Sequence, residues 1–238
     1  MPSGFPGFPP EMVQFFRSLK RNNRRDWFQP RKHVFDEHVK APMVELVNVL
    51  NRDLAKFAPD YVTDPKKALF RIYRDTRFSA DKTPYKSHIA ASFWRRGADH
   101  TGAGGFYFSV AHDRIEVAGG IWRPSPETMY LVRSHIAENH PEMRRILANK
   151  KSRKLAGDLQ GDELSRAPKG FDTGHPALDL IKKKDWILDT TVDPSLAITP
   201  KLYKEVLDRF RVIAPLIEFL NRPLIGRKPP REPLEGPF

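Results

Sequence analysis

Hydrophobic positions along this chain change period twice, dividing it into a helical front, a strand-like middle and a helical back. From Pro9 to Leu19, the residues Met12, Val13, Phe15, Phe16 and Leu19 recur every 3.6 residues, and Pro9 and Pro10 suit a first turn. Asn22-Asn23 ends that stripe. Asp26 is the expected N-cap of a second helix holding Trp27, Phe28, Val34, Phe35 and Val39. Pro42 is expected to break or kink it, and Val44, Leu46, Val47, Leu50, Leu54 and Phe57 carry a third stripe to Ala58. After Pro59 the alternation has a period of two, predicting strands near residues 68–74, 87–95, 105–111 and 114–122. Phe106, Phe108 and Val110 alternate with Tyr107, Ser109 and Ala111, and His112-Asp113 is short enough to turn a hairpin. A glycine-rich connection over 97–105 carries Asp99 and His100.

Helical spacing returns after Pro126, in one stretch through Met129 and Ile136 and another from Pro141 to Leu147. Residues 157–175 are polar and broken by Gly and Pro, a connection expected to wrap the body. A short helix over Leu178, Leu180 and Ile181 follows, then a fifth strand over Trp186–Val192. Thr199-Pro200 opens a last helix through Leu202, Phe210, Ile213, Ile217 and Leu220 to Asn221. Helices, then strands, then helices predict an α+β fold: an antiparallel β-meander sheet with N- and C-terminal helices packed on it. The expected organisation is an extended arm (1–8) whose Phe5 and Phe8 can pack on the body, a single α+β domain (9–222) and a Pro-rich extended tail (223–238).

Composition narrows the chemistry. The chain contains no cysteine, which excludes disulfides and thiolate metal sites. Its start lacks the basic and apolar regions of a secretory signal, and no run approaches the roughly 18 apolar residues of a membrane span, so a soluble, cytoplasmic protein is expected. The formal charge of +12 favours contact with phosphorylated molecules, nucleic acid or acidic surfaces. That excess is dispersed, with clusters at Lys20–Arg25, Arg144–Lys154 and Lys182–Lys184.

The densest chemistry lies in Leu69–Trp94, where two apolar runs flank a loop rich in ionisable groups. If Phe70 and Ile72 face the core, alternation collects Arg71, Tyr73, His88, Ser92, Tyr107, Ser109 and Glu116 on the opposite sheet face. Arg77, Lys82 and Lys86 from the loop rim that face, and Tyr85 and Trp122 are placed with its lining. Guanidinium forks and mobile ammonium groups suit phosphate or carboxylate. The plainer reading is a half-exposed sheet face whose Arg74–Asp75 and Asp81–Lys82 pairs contribute at most ~1 kcal/mol each. His88 beside Asp75 has the makings of a general base with an orienting carboxylate. HVFDEH lacks the spacing of a zinc helix, the glycines at 102, 104 and 105 make no dinucleotide or Walker loop, and neither Ser109 nor Ser125 sits in GxSxG. No metal site and no cofactor are assigned.

The stretches RNNRRDWF, FRIYRDTRFSADKTPYKSH, GFYFSV with GGIWRPSPE, and APKGFDTGHPALDLIKKKDW with the closing helix resemble the family called domain of unknown function 2461, over roughly residues 8–224. The resemblance implies a single domain of that family's α+β type and brings no established activity or cofactor. Its shared segments coincide with Arg74, Asp75, Arg77, Lys82, Lys86 and His88, and its later motif adds Arg166, Lys169 and His175 as residues to complete the same pocket. The first functional reading is a ligand-binding protein or enzyme, of hydrolase or transferase type, for an anionic or phosphorylated small molecule. Arg71, Arg74, Arg77, Lys82, Lys86, Arg166 and Lys169 would hold the anion, with Asp75, His88 and His175 as the catalytic residues. The second is a nucleic-acid-binding module using the dispersed basic clusters. The third is a non-catalytic interaction protein using the Pro-rich ends. Oligomeric state is not legible.

Overall fold

The structure, a computed structural model, describes residues 4–97 and 102–225. Asp99 and His100, the first three residues of the expected arm and residues 226–238 of the expected tail lie outside the described residues. The chain begins with Phe5 and Phe8, both buried and packed edge to face, and Phe8 N–H donates to Ala197 O at 2.8 Å. α1 (Pro10–Arg21) follows and buries the expected stripe of Met12, Phe15, Phe16 and Leu19.

The second and third expected helices form one nearly continuous helical run rather than two pieces. α2 (Arg25–Phe28), a 3₁₀ turn (Gln29–Arg31), α3 (Lys32–Phe35), a π-helical stretch (Asp36–Lys40) and α4 (Ala41–Phe57) succeed one another. Pro42 has no N–H to give, and it sits in the first turn of α4 just after the π-helical stretch, so the chain absorbs it without breaking. Asp26 is not the N-cap: that position is Arg24, and Asp26 Oδ1 accepts the N–H of Trp27 at 3.0 Å. After α4 come α5 (Pro65–Ala68) and then the sheet.

Four strands, β1 (His88–Trp94), β2 (Gly105–Ala111), β3 (Ile115–Ile121) and β4 (Trp186–Val192), pair antiparallel in the order β1-β2-β3-β4. Between β3 and β4 run α6 (Pro126–Leu147), α7 (Lys150–Ala156) and α8 (Leu178–Ile181), and α9 (Lys201–Asn221) closes the fold. This is the α+β fold with a meander sheet that the periodicity predicts. The two helices expected over 126–147 are one run interrupted at Asn139 (φ −124°), just ahead of Pro141. Among the described residues no helix is long and apolar enough to cross a membrane.

One sheet face builds the core. Ile89, Ala91 and Phe93, Phe106, Phe108 and Val110, Val117 and Ile121, and Trp186 and Leu188 are all buried. α9 lies along that face, with Phe210 touching the rings of Phe93, Phe106 and Phe108 at centroid distances of 5.6, 4.8 and 6.3 Å. Gly119 permits this approach, since a Cβ there would stand 2.6 Å from Cγ2 of Ile213.

The predicted strand over 68–74 does not form. Residues 69–74 run beside 84–91 through two isolated bridges, Leu69 to Ala91 and Tyr73 to Tyr85. Four steps on one side (69 to 73) face six on the other (85 to 91), so two surplus residues interrupt the ladder. Only three backbone bonds tie the pair: Phe70 N–H to Ala90 O, Lys86 N–H to Ile72 O and Arg74 N–H to Pro84 O. Pro84 has no N–H to return the last of these.

The end of α9 is tied to the sheet by a buried amide. Asn221 Oδ1 accepts Gly104 N–H at 2.6 Å, and its Nδ2 donates to Gly104 O at 2.9 Å and Tyr61 Oη at 2.8 Å. Burial pushes the Tyr61 hydroxyl up to about 12, so it stays protonated throughout. Replacing Asn221 by Ala strands three buried polar groups and is expected to lower stability by about 3 kcal/mol or more in urea unfolding. A loss under ~1 kcal/mol would show that the tie is replaced by water.

Candidate functional site

The irregular pairing of 69–74 with 84–91 opens a hollow of about 360 Å³ against the C-terminal end of α1. Lys20, Asn23, Arg74, Asp81, Thr83, Tyr85, Lys86, Ser87 and His88 line it. Asn23 fixes one wall: its Nδ2 donates to Tyr85 O at 2.8 Å and its Oδ1 accepts Tyr85 N–H at 3.0 Å. The Tyr85 ring is buried beneath, stacked on Phe28 at 4.1 Å. The Asn-Asn pair that ends α1 is thus also the clasp that holds the loop.

Most loop charges are spent on the loop. Arg74 donates to the Asp81 carboxylate and the Thr83 hydroxyl, and Asp81 also accepts Thr83 N–H at 2.9 Å. These donors hold the Asp81 carboxyl at about 2, the Thr83 N–H contributing most. Asp75 accepts from Arg77 at Nε (3.1 Å), at the guanidinium end (2.8 Å) and at its backbone N–H (3.2 Å), which brings Asp75 to about 2 as well. Lys82 donates to Thr76 O at 2.9 Å. Arg77, with 77% of its side chain exposed, and Lys82 therefore shape the loop and do not line the hollow.

Lys86 differs. It is half-buried, its Nζ stands 5.0 Å from the centroid of the Phe70 ring, and no carboxylate pairs with it among the described residues. Burial first, and then the nearby Arg71 guanidinium, lower its pKa. Its neighbour His88 is also lowered, chiefly by burial and then by Lys86, with Glu116 acting the other way. The expected Asp75–His88 couple is absent from this arrangement, since Asp75 turns to Arg77 and the carboxylate acting on His88 is Glu116.

Beyond His88 the outer sheet face carries polar side chains that are largely covered, Ser92 and Ser109 being buried. Register places Ser92 opposite Tyr107, and Ser109 opposite Glu116. Ser109 Oγ donates to Glu116 Oε2 at 3.0 Å, and Arg114 pairs with the same carboxylate. Phe70 meets Tyr107 edge to face at 6.0 Å, so the 69–74 segment covers part of this face. Asp189 on β4 was not among the candidates read from the sequence, yet it joins the group: its Oδ1 is buried without a hydrogen-bond partner, and burial and Glu116 raise its pKa. The outward alternation of Ile187, Asp189 and Thr191 in the fifth predicted strand carried the signal that locates it.

The remaining candidates sit elsewhere. Tyr73 is half exposed beside Phe28 and Tyr85, and Arg71 lies exposed near Lys86. Trp122, 67% exposed, follows the end of β3 where Ile121 pairs with Trp186, at the far end of the sheet from His88. It lies under the Arg123 guanidinium at 4.8 Å and lines no part of the hollow. The late motif is also separate. His175 Nδ1 accepts Ala177 N–H at 3.1 Å, its ring meets His140 of α6, and Arg144 of α6 donates to Pro176 O at 2.8 Å. Arg166 and Lys169 are exposed in the connection leading to it. The structure does not bring Arg166, Lys169 or His175 to the hollow. The basic clusters likewise spend charge internally, in Lys20–Asp113, Arg144–Asp179, Arg153–Asp158 and Lys183–Glu163 pairs. Among the described residues no three His, Asp or Glu side chains converge as a metal site.

Compared with known proteins, residues 11–219 match a family model described as "Conserved hypothetical protein (DUF2461)", a span that takes in the hollow and the whole sheet. No curated protein matches the chain.

His88 supplies a pH test of this geometry. Because its folded-state pKa lies below the ordinary value of 6.5, the unfolded chain takes up the proton first, and stability falls as pH drops through and below 6.5. His112 and His135 shift in the same direction and contribute a background common to wild type and variant. His88→Gln is expected to lose less stability than wild type between pH 7 and pH 5 in chemical unfolding. Parallel curves would place His88 in water.

Proposed function

The chain belongs to the DUF2461 family of conserved hypothetical proteins, and we propose that it binds an anionic small molecule in the hollow between the end of α1 and residues 74–88. The observation that carries this reading is Lys86. An ammonium group drawn out of water without a carboxylate raises the free energy of the folded state, and an anion entering the hollow would compensate it. Lys20 keeps donor capacity beyond its bond to Asp113, and Ser87 and His88 add hydrogen-bonding groups beside Lys86. The neighbouring loop ions Arg74 and Asp81 satisfy one another first, which holds the loop rigid and leaves their spare donors and acceptors for the rest of a ligand.

His88, neutral near pH 7 and bordering the same hollow, is the group suited to take a proton from a ligand or from water. Hydrolysis or group transfer is the reaction class that such a base and a cationic anchor would serve. Asp189, kept from ionising readily by burial and by the nearby Glu116 carboxylate, lies further along the same face.

Lys86→Met separates function from stability. Removing a desolvated, unpaired charge while keeping side-chain length should leave the melting temperature unchanged or raised in anion-free buffer. Wild type should gain roughly 5 °C or more with inorganic phosphate at a hundredfold excess over its Kd. The variant should lose that gain, whereas Arg77→Ala should keep it. An equal phosphate response in wild type and Lys86→Met would overturn the assignment.

A further inference from the structure

The lining of the hollow also indicates what the anion is attached to, an inference that rests on the binding reading above. At about 30 Å³ per water molecule, 360 Å³ holds roughly a dozen waters, several times the space of a bare phosphate ion. An ion drawn to Lys86 would therefore leave most of the hollow to the rest of its molecule. The residues around that remainder, Arg74, Asp81, Thr83, Asn23 and Ser87, are all of polar type, with their carbon stems forming about as much of the wall as their polar atoms. They offer both donors and acceptors in a shallow arc, a pattern that matches a ligand rich in hydroxyl groups.

An aromatic ligand fits poorly. Tyr85 is the aromatic residue of the lining, and its ring is 1% exposed with Phe28 stacked against it at 4.1 Å. The exposed Phe78, 94% accessible at the loop tip, lies outside the lining with Arg77 against its ring. A nucleotide base would thus find no free π-face in the hollow, and burying it there would strip water from groups it cannot pair with. We propose that the ligand is an anionic sugar or polyol, with its phosphate or carboxylate on Lys86 and its hydroxyls on the Arg74–Asp81–Thr83 arm and Ser87.

Calorimetric titration of the full chain with five probes tests this: inorganic phosphate, glucose 6-phosphate, gluconate, glucose and AMP. Glucose 6-phosphate or gluconate is expected to bind at least tenfold tighter than inorganic phosphate and AMP. Glucose alone should show no heat of binding, and Lys86→Met should abolish binding of every anion. Tight gluconate binding assigns the anion as a carboxylate, and preference for glucose 6-phosphate assigns it as a phosphate; either supports the inference. Equal affinity for inorganic phosphate and both sugar acids, or tighter binding of AMP, would overturn the hydroxyl-rich ligand while leaving anion binding intact. If no anion binds the wild-type chain, the binding reading itself falls, and this inference with it.

Discussion

Two surplus residues between Tyr85 and Ala91, set against the shorter stretch from Leu69 to Tyr73, are the constraint on which the rest of the site depends. Side chains alternate along a strand, so an even surplus returns the ladder to the same facing after the interruption. Tyr85, Ile89 and Ala91 are therefore all buried on one side while the chain between Tyr85 and Ile89 bows outward. The bow carries Lys86, Ser87 and His88 to the rim of a concavity instead of into a fifth ladder. A regular strand pair would have filled that space with backbone.

What keeps the bow in place is a set of side-chain bonds doing the work that strand hydrogen bonds do elsewhere. Asn23 reaches from beyond α1 and pairs with both backbone groups of Tyr85, as a neighbouring strand would. The Tyr85 ring beneath it is locked on Phe28. At the other end, Arg74, Asp81 and Thr83 close the loop on itself. Exposed ion pairs of this kind add little net stability, yet they hold one loop geometry among many. Against that rigid frame Lys86 and Asp189 stand out, one an uncompensated cation and the other a desolvated carboxyl. Groups that oppose folding and are nonetheless held in place are what supports the binding reading proposed above.

The architecture was legible because period and burial agree. Alternation in Phe106–Val110 and in Ile115–Ile121 and the 3.6-residue stripe of α9 each describe one buried face, and each element formed. The stretch 68–74 alternates as well, but its partner contains Pro84 and the two surplus residues, and pairing depends on both sides of a ladder. Periodicity reads one side at a time. The same limit explains the site. Of the candidates close in sequence, Arg74, Lys86 and His88 border the hollow while Asp75, Arg77 and Lys82 do not, because the ion pairs are Arg74–Asp81 and Arg77–Asp75 rather than Arg74–Asp75 and Asp81–Lys82. The joining of the loop to Arg166, Lys169 and His175 required knowing which end of the fold the late connection wraps, and it wraps α6. Asn23 and Lys20 entered the picture only through tertiary contact.

The most direct measurement of the central claim is the titration of Lys86 itself, followed by NMR of the chain with isotope-labelled lysine side chains and assigned with Lys86→Met. Without anions the Lys86 ammonium should titrate below the ordinary lysine value of 10.5, and on adding inorganic phosphate its pKa should rise. A Lys86 that titrates like an exposed lysine and ignores phosphate would contradict the account.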